Sequence, residues 1–420
     1  MSASASAQAM VRTGEVVDLY YYDHETSKKQ AFPTSINTKY VQQFNNLTGG
    51  SSVFTIPPQM GIQDVVCTFV LPALSAGDSN GLALNRGWGY QLINRVSFRY
   101  GGSSQYFMSG AQLLQNAVRA QPSRETASDL FTLGGQACLP ADLQAGAQYA
   151  SVVLTLPHAS PSGVGKAHPF PSDLLTQQIQ VTIELNPPSS LFSVSTGSTG
   201  TAPTTLASAN FQVQQVIFNN AGDALARRVD MAENAYSFPC EFVQQEQAIA
   251  LANSASPQSV VLTGFRSGEV KSIQCWLSRT SDTSGAIKNP WNWLLPTTVE
   301  MTYAGDIYAR FDAQSSTLWN LINGDKYPGW ASIALSDTGG TTPGTFGSNS
   351  QVSTYVELPF AQPFINEEEH NTLVHGKPIT NGIVNLLVQT PSAQADWVLH
   401  VSYVYNATLL MSQGTADYVF

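Results

Sequence analysis

The segment Val96–Asn116 decides how the rest of this chain is interpreted. It begins with the strand-like run Val-Ser-Phe-Arg-Tyr, and the glycine pair of Tyr100-Gly101-Gly102 then predicts a tight turn. After Tyr106 the sequence predicts a short helix, because Ser109 can cap the first turn and the following apolar residues share one helical face. The segment therefore predicts a strand, a turn and a short helix in close succession.

A second segment, Val299–Asn320, has the same order of features. The run Val-Glu-Met-Thr-Tyr ends at Tyr303, the pair Ala304-Gly305 forms the turn, and a short helix is predicted from Ser315. Tyr100 and Tyr303 lie 203 positions apart, and so do the last glycines of the two turns. The same local pattern occurs twice, which indicates an internal repeat.

Three further matches occur in the same order in both halves. The alternative interpretation is chance similarity, because β-proteins reuse Val, Thr and Gly. Four matches with nearly constant spacing favour two copies of one domain separated by loop insertions. The three pairs are Val53–Thr55 with Val261–Thr263, continuing to Cys67 and Cys275, at a shift of 208; Leu156–Pro161 with Leu358–Pro363 at 202; and Val181–Leu185 with Asn385–Gln389 at 204.

Each half is predicted to contain roughly eight short strands and one brief helix, which is typical of a sandwich or barrel. Eight strands in two Greek keys form a jelly roll. The predicted fold is therefore all-β, with two tandem eight-stranded jelly rolls, short helices and long loops. The predicted boundaries are a flexible N-terminal arm at 1–14, a first jelly roll at 15–222, a hinge at 223–235, and a second jelly roll at 236–420 that ends in an apolar tail, Leu409–Phe420.

The stretch Trp88–Tyr100 is expected to enter the first signature strand. The long loops, which are rich in small and polar residues, are expected at 75–87, 121–150, 193–208 and 324–350.

The composition of the 420 residues limits the function classes. Charged residues make up 11%, against about 25% in an average domain. Uncharged polar residues dominate the remainder, which suits a surface covered by neighbouring subunits but is also common in secreted proteins. The formal net charge of −10 argues against direct nucleic-acid binding, which requires basic residues to displace phosphate counterions.

The four cysteines, Cys67, Cys138, Cys240 and Cys275, are widely spaced and form no CxxC motif. Cys67 and Cys275 occupy the same position of the repeat, so they are expected in different cores as buried free thiols, which suggests a reducing site of synthesis. The N-terminal residues lack the apolar core of a signal peptide, and no run of 18 apolar residues predicts a membrane span.

The sequence predicts no catalytic, cofactor-binding or metal-binding residue. Gly77–Gly81 fits GxSxG but lacks the strand before it and the helix after it that a nucleophile elbow needs. Gly163–Lys166 lacks the spacing of a phosphate-binding loop. Glu367–His375 is the densest set of metal-ligand types, but a solvated charged loop explains it better. Trp291, Trp293 and Trp330 are interpreted as core or interface anchors, with sugar stacking as the alternative.

The stretch Trp88-Gly89-Tyr90-Gln91-Leu92-Ile93, continuing to Gly101-Gly102 and Gly110, resembles the first-domain signature of double jelly-roll major capsid proteins. These proteins belong to icosahedral DNA viruses of the large eukaryotic type, virophages and polinton-like viruses. The run Tyr405–Phe420 is similar to the closing strand and tail of that family, and Phe211–Gln247 is similar to its crossing between barrels.

The resemblance implies a structural protein with no enzymatic activity and no cofactor. It implies a homotrimer that forms a pseudo-hexameric capsomer and tiles an icosahedral shell in the virion, usually over an internal membrane. The implied partners are neighbouring capsomers, penton proteins and minor capsid proteins, and the arm at 1–14 is a candidate for contact with the membrane. The alternative hypothesis is a secreted tandem β-sandwich that binds or hydrolyses polysaccharide.

Overall fold

The computed structural model describes residues 33 to 419 with gaps, and each structural statement below concerns this part of the chain. The residues left out within that range are 59–60, 101–105, 120–131, 155–169, 171, 173–174, 219–235, 246–247, 267, 287, 289, 292, 295, 313–332, 338–348, 354–355, 361–376, 380–382, 394–395 and 413.

Strands dominate both halves of the chain. Strands β1–β10 are, in order, Pro33–Gln43, Gly50–Ile56, Gly61–Leu71, Leu82–Leu84, Ile93–Tyr100, Tyr106–Ser109, Gln148–Leu154, Ile179–Leu185, Phe192–Val194 and Ser208–Phe218. Strands β11–β23 are Tyr236–Gln245, Ile249–Ala250, Gln258–Leu262, Glu269–Arg279, Thr298–Tyr303, Asp306–Asp312, Ile333–Asp337, Asn349–Ser353, Val356–Pro359, Lys377–Pro378, Val384–Gln389, Trp397–Ser412 and Thr415–Val419.

The helices of the described ranges are short. Ser109 begins the longest of them as the sequence predicts, because its Oγ accepts a hydrogen bond from the Gln112 backbone N–H at 3.2 Å. Helices α1–α4 are Trp88–Leu92, Gly110–Arg119, Pro140–Ala145 and Thr280–Ser284.

Two four-stranded antiparallel sheets form the first half. Sheet 1a has the order β1-β10-β3-β7, and sheet 1b has the order β2-β8-β5-β6. Most neighbouring strands in these sheets, such as β1 and β10 or β2 and β8, are far apart in the sequence. This connectivity is typical of a jelly roll.

The second half repeats this order strand for strand. Sheet 2a has the order β11-β22-β14-β19, with β12, β20 and β23 added at its margins, and sheet 2b has the order β13-β21-β15-β16. The predicted double jelly roll is therefore confirmed. The exact domain boundaries remain predictions, since the arm at 1–14 and the hinge at 223–235 lie outside the described residues.

The repeated segments occupy equivalent strands, but their residue register differs from the sequence prediction in two places. Cys67 pairs with Val152 in β7, and Cys275 pairs with Val356 in β19. The two leucines that match are consequently Leu154 and Leu358, a shift of 204 rather than 202. The observed match, Leu154, lies two positions before the predicted match, Leu156, which is outside the described residues. Side chains two positions apart in a strand point to the same face, so the predicted match has the correct face of the sheet but the wrong residue.

The sequence prediction aligned β8 with β21 by matching Val181 to Asn385, and the structure shows that this alignment is shifted by an odd number of residues. Val181 faces the core and is buried, whereas Asn385 is half-buried and alternates with the buried Val384 and Leu386. A one-residue shift moves a side chain to the other face of a strand, so sequence similarity alone did not fix this register.

At two other elements the structure is more specific than the sequence prediction. Trp88–Leu92 is a helix before the strand, because Gly87 starts it at φ 73° and Gly89 lies so close to the Gly134 carbonyl that a Cβ there would be 2.8 Å from it. The expected apolar tail is the end of β22 followed by β23. In β23 only Ala416 and Tyr418 are buried, which is the alternation of a strand rather than the continuous exposure of a tail.

The expected long loops contain short elements. β4 lies within 75–87, α3 and the start of β7 lie within 121–150, and the β17–β18 hairpin lies mostly within 324–350. The predicted helix from Ser315 lies outside the described residues.

Inward-facing side chains of the paired sheets form the cores. Phe54 of β2 stacks on Phe211 of β10 with ring centroids 4.4 Å apart, which joins sheets 1b and 1a. Cys67 and Cys275 are buried free thiols, as predicted, and burial raises the pKa of Cys275 to about 12. Such thiols behave as small apolar core residues rather than as nucleophiles.

Replacing Phe54 by Ala is expected to lower the free energy of unfolding by about 3–5 kcal/mol, because the variant loses the ring contacts between the sheets and leaves a cavity. The neighbouring Val53→Ala is the matched control, since Val53 points outward and is 47% exposed. Chemical denaturation of both variants measures the difference. Equal losses in the two variants would contradict this account of the core.

Candidate functional site: the joint between the two jelly rolls

The GxSxG sequence forms a structural turn in this fold. Ser79 is fully buried, its Oγ accepts a hydrogen bond from Gln144 Nε2 at 2.8 Å, and β4 follows it instead of a helix. Two further bonds tie this loop to the loop after β9: Asn80 Nδ2 donates to Thr199 Oγ1 at 2.8 Å, and the Thr201 N–H donates to the Asp78 carbonyl at 2.9 Å. The two long loops therefore form one packed unit.

Other motifs singled out in the sequence lie outside the described residues, namely Gly163–Lys166, Glu367–His375 and Trp330. In the part of the chain that is described, no group of three or more His, Cys, Asp or Glu side chains is arranged to hold a metal ion. Within the same ranges, no helix is both long enough and apolar enough to cross a bilayer.

Buried polar and aromatic contacts join the two jelly rolls at three places. The first contact is an aromatic cluster between sheet 1b and the outer strands of sheet 2a. Tyr106 of β6 meets Phe242 of β11 edge-on at 4.5 Å, and its hydroxyl accepts a hydrogen bond from the Val243 N–H at 3.3 Å. Tyr418 of β23 lies 5.2 Å from Phe242 and 6.1 Å from Tyr100 of β5.

The second contact is made by helix α2. Its residue Gln112 is fully buried; the amide accepts a hydrogen bond from the Ser402 hydroxyl of β22 at 2.7 Å and donates one to Asn116 Oδ1 at 3.2 Å. A buried hydrogen-bonded amide fixes the orientation of two surfaces, because losing a partner would leave a polar group unsatisfied.

This packing removes the outward face of sheet 2a from solvent. Ser272, Gln274 and Trp276 alternate along β14 with the core residues of the second jelly roll, and each is 1% exposed or less. Ser402 on the neighbouring strand is also fully buried. An antiparallel sheet of a free-standing barrel usually keeps this face in water. The two jelly rolls are therefore joined through a buried interface.

The third contact is a clamp formed by the segment after α4. Val194 of β9 donates its N–H to the Ala286 carbonyl at 2.6 Å. The Lys288 backbone donates to Ser193 Oγ at 2.9 Å, while its carbonyl accepts Asn85 Nδ2 at 2.9 Å. The Lys288 ammonium donates to the Ser190 carbonyl, and partial burial lowers the pKa of this lysine.

The tryptophans predicted as anchors belong to this clamp. Trp291 is 2% exposed and donates its indole N–H to the Arg86 carbonyl of the first jelly roll at 2.8 Å. Its ring meets Trp293 at 5.7 Å, and Trp293 meets Trp276 of β14 at 5.3 Å. Rings enclosed in this way are not open to stack on a sugar, so the structure supports the anchor interpretation for both.

His400 ends this aromatic series. Its ring stacks on Trp276 at 5.0 Å, and its Nε2 lies 2.8 Å from Ser278 Oγ. Burial lowers the pKa of His400 to about 4. A serine and a histidine in contact can form a nucleophilic pair, but here the histidine packs against a buried ring and so serves packing.

Charge plays little part in the contacts described above. Three ion pairs of the described part each join residues of the same jelly roll: Arg95 with Glu184 at 3.5 Å, Arg279 with Asp396 at 3.1 Å, and Arg310 with Glu300 at 3.6 Å. The joint instead relies on amides, hydroxyls and rings, in keeping with the low charged fraction of the sequence.

Trp291→Ala is expected to lower the free energy of unfolding by about 3–5 kcal/mol, because it leaves a cavity in the clamp. Trp291→Phe keeps most of the ring contact and loses the hydrogen bond to Arg86, so a loss of about 1–2 kcal/mol is expected. Denaturation of wild type and both variants measures these losses. A Trp291→Ala variant as stable as wild type would contradict an anchoring role.

The lowered pKa of His400 predicts a pH dependence of stability. The unfolded chain binds a proton below pH 6.5, whereas the folded chain binds it only near pH 4, so stability is full above pH 6.5 and falls between these values. The loss reaches up to about 3 kcal/mol at pH 4. Unfolding free energies of wild type and His400→Gln, measured at pH 7 and pH 4.5, test this. An equal pH dependence in the two proteins would rule out His400 as its source.

Neither the protein-family models nor the curated protein sequences contain a match to this chain. Solved structures do match over almost its full length. VP54 of PBCV-1, fitted into a reconstruction of the virophage Sputnik, has a TM-score of 0.62 at 13% identity, covering 93% of this chain and 99% of that one. The PBCV-1 capsid model has a TM-score of 0.60 at 12% identity, with the same coverage.

The mavirus major capsid protein matches with a TM-score of 0.53 at 11% identity, covering 95% of this chain and 93% of that one. These matches confirm the sequence-based resemblance at the level of the fold. The chain has the double jelly-roll fold of viral major capsid proteins.

Proposed function

We propose that this protein is a structural major capsid protein that forms the shell of an icosahedral virion. The observation that carries the proposal is the buried joint, which holds two jelly rolls of identical strand order together in the fold of known capsid chains. A shell subunit must present similar contact surfaces to several neighbours, and two similar jelly rolls that are held rigidly together can do so.

The proposed assembly unit is a homotrimer. Three chains with two jelly rolls each fill six positions around one axis, which gives a capsomer with a pseudo-hexagonal outline. Closed rings of this type are built by head-to-tail contacts whose rotation closes. The low charged fraction supports the proposal, because uncharged polar surfaces can be buried between subunits at a smaller desolvation cost than charged ones.

The capsomers are proposed to contact one another, penton proteins and minor capsid proteins, with the arm at 1–14 as the candidate contact to an internal membrane. The proposal assigns no reaction, cofactor or nucleic-acid contact to the chain. The competing polysaccharide hypothesis loses two of its three candidate stacking residues, since Trp291 and Trp293 are buried at the joint.

Native mass spectrometry of the purified full chain tests the assembly unit. The expected species has roughly 135 kDa, three times the chain mass of 45.1 kDa. Negative-stain images of the same sample are expected to show six-cornered particles. A monomer that is retained on a polysaccharide column would overturn the proposal in favour of the glycan-binding alternative.

A further inference from the structure

The two jelly rolls differ at one equivalent position of their repeat, next to Tyr100 in the first and Tyr303 in the second. In the first jelly roll, Phe170 forms a bridge with Ile62 of β3 and stacks on Tyr100, with ring centroids 5.0 Å apart. Both rings are buried. The first jelly roll therefore closes this end of its core with an aromatic side chain.

A lysine takes the place of this phenylalanine in the second jelly roll. Lys377 of β20 pairs with Val270 of β14. Val270 is the counterpart of Ile62, because each lies five positions before the cysteine of its repeat and beside a shift in strand register. Lys377 is thus equivalent to Phe170, and its ammonium lies 5.5 Å from the centroid of the Tyr303 ring.

The rings of Tyr303, Tyr308 and Phe360 form an aromatic cage at this position. The Lys377 ammonium lies 4.6 Å from the centroid of the Tyr308 ring and donates a hydrogen bond to the Tyr308 hydroxyl. Phe360 lies 5.6 Å from Tyr308 and 6.4 Å from Tyr303, and the two tyrosine rings are 6.0 Å apart. The ring planes meet at angles of 57° to 90°, so the rings are inclined to one another instead of stacked.

The cage favours a positively charged occupant. The hydrogen bond to Tyr308 raises the pKa of Lys377, and the charge of Asp306 in the turn after β15 acts in the same direction. The faces of aromatic rings carry the negative part of the ring quadrupole, which attracts cations. The rings and the carboxylate therefore provide the two features that bind an ammonium group.

We propose that this cage is a binding site for quaternary ammonium groups, such as the trimethylammonium group of choline, and that Lys377 occupies it when no ligand is bound. Aromatic cages recognise such groups through their ring faces. The ammonium of a lysine is strongly hydrated and loses water when it enters the cage. A quaternary ammonium has no N–H group that needs a hydrogen-bond acceptor, so it gains more from the ring faces.

The site is open enough for this exchange. Tyr308 and Lys377 are half-buried, and the adjoining turn at 304–307 is exposed, so the lysine side chain can withdraw into water. The equivalent position of the first jelly roll is sealed, because Phe170 is fully buried. The inference does not depend on the assembly proposed above, and it assigns a ligand site to the second jelly roll alone.

Lys377→Gln tests the proposal by removing the internal occupant. Saturation-transfer NMR of tetramethylammonium chloride with the full chain, at constant ionic strength set by sodium chloride, measures binding. The dissociation constant of the variant is expected to be roughly 2–5-fold lower than that of wild type, the factor that an exposed cation–π contact contributes. The absence of saturation transfer to tetramethylammonium in the variant overturns the proposal, and so does equal binding by both proteins.

Two tyrosine variants in the Lys377→Gln background show whether the cage is the site. Tyr308→Leu removes one wall and is expected to abolish binding, whereas Tyr149→Leu removes a tyrosine that is 70% exposed outside the cage and is expected to leave binding unchanged. Circular dichroism and the thermal midpoint verify that each variant is folded. Binding that survives Tyr308→Leu, or that both variants lose equally, contradicts the assignment.

The source of the trimethylammonium group is resolved by two further samples of the Lys377→Gln variant. Saturation transfer to free choline chloride, without sedimentation on phosphatidylcholine vesicles, identifies a small-molecule site. Sedimentation on phosphatidylcholine vesicles but not on phosphatidylglycerol vesicles identifies a site for a lipid headgroup. Failure of the variant to bind choline in either form overturns the proposal.

Discussion

The arrangement of the two halves depends on burying the outward face of sheet 2a, on which helix α2 of the first jelly roll packs. A jelly roll normally forms one core between its two sheets and leaves their outer faces in water. Here Gln274 and Trp276 on the far side of β14 are as buried as the core residues between them. The hydrogen bond from Ser402 to Gln112 then fixes how the halves meet, since either group would lose its partner if the surfaces moved apart.

The packing of the two jelly rolls against each other also explains the roles of the clamp segment after α4 and of the C-terminal strand β23. The clamp around Lys288 and Trp291 would be a surface loop in an isolated domain, but here it supplies hydrogen bonds to the first jelly roll. The C-terminal strand β23 completes the aromatic cluster through Tyr418. These segments are therefore part of the joint, and the described sequence motifs that could suggest chemistry, such as the one at Ser79, serve packing.

An interface made of uncharged groups can also be repeated between chains at modest cost. The low charged fraction and the duplication are both in keeping with the proposed role as a shell subunit.

The sequence by itself determined the repeat, the fold class and most strand positions, because alternating apolar residues and glycine turns are local properties. It also identified the resemblance to capsid proteins and the Ser109 cap of α2. Only the tertiary structure decided the register of β21, the helix at Trp88–Leu92 and the strand formed by Thr415–Val419. It alone decided which face is buried at the joint, because Gln112 and Ser402 are far apart in sequence and their contact depends on how two complete domains pack.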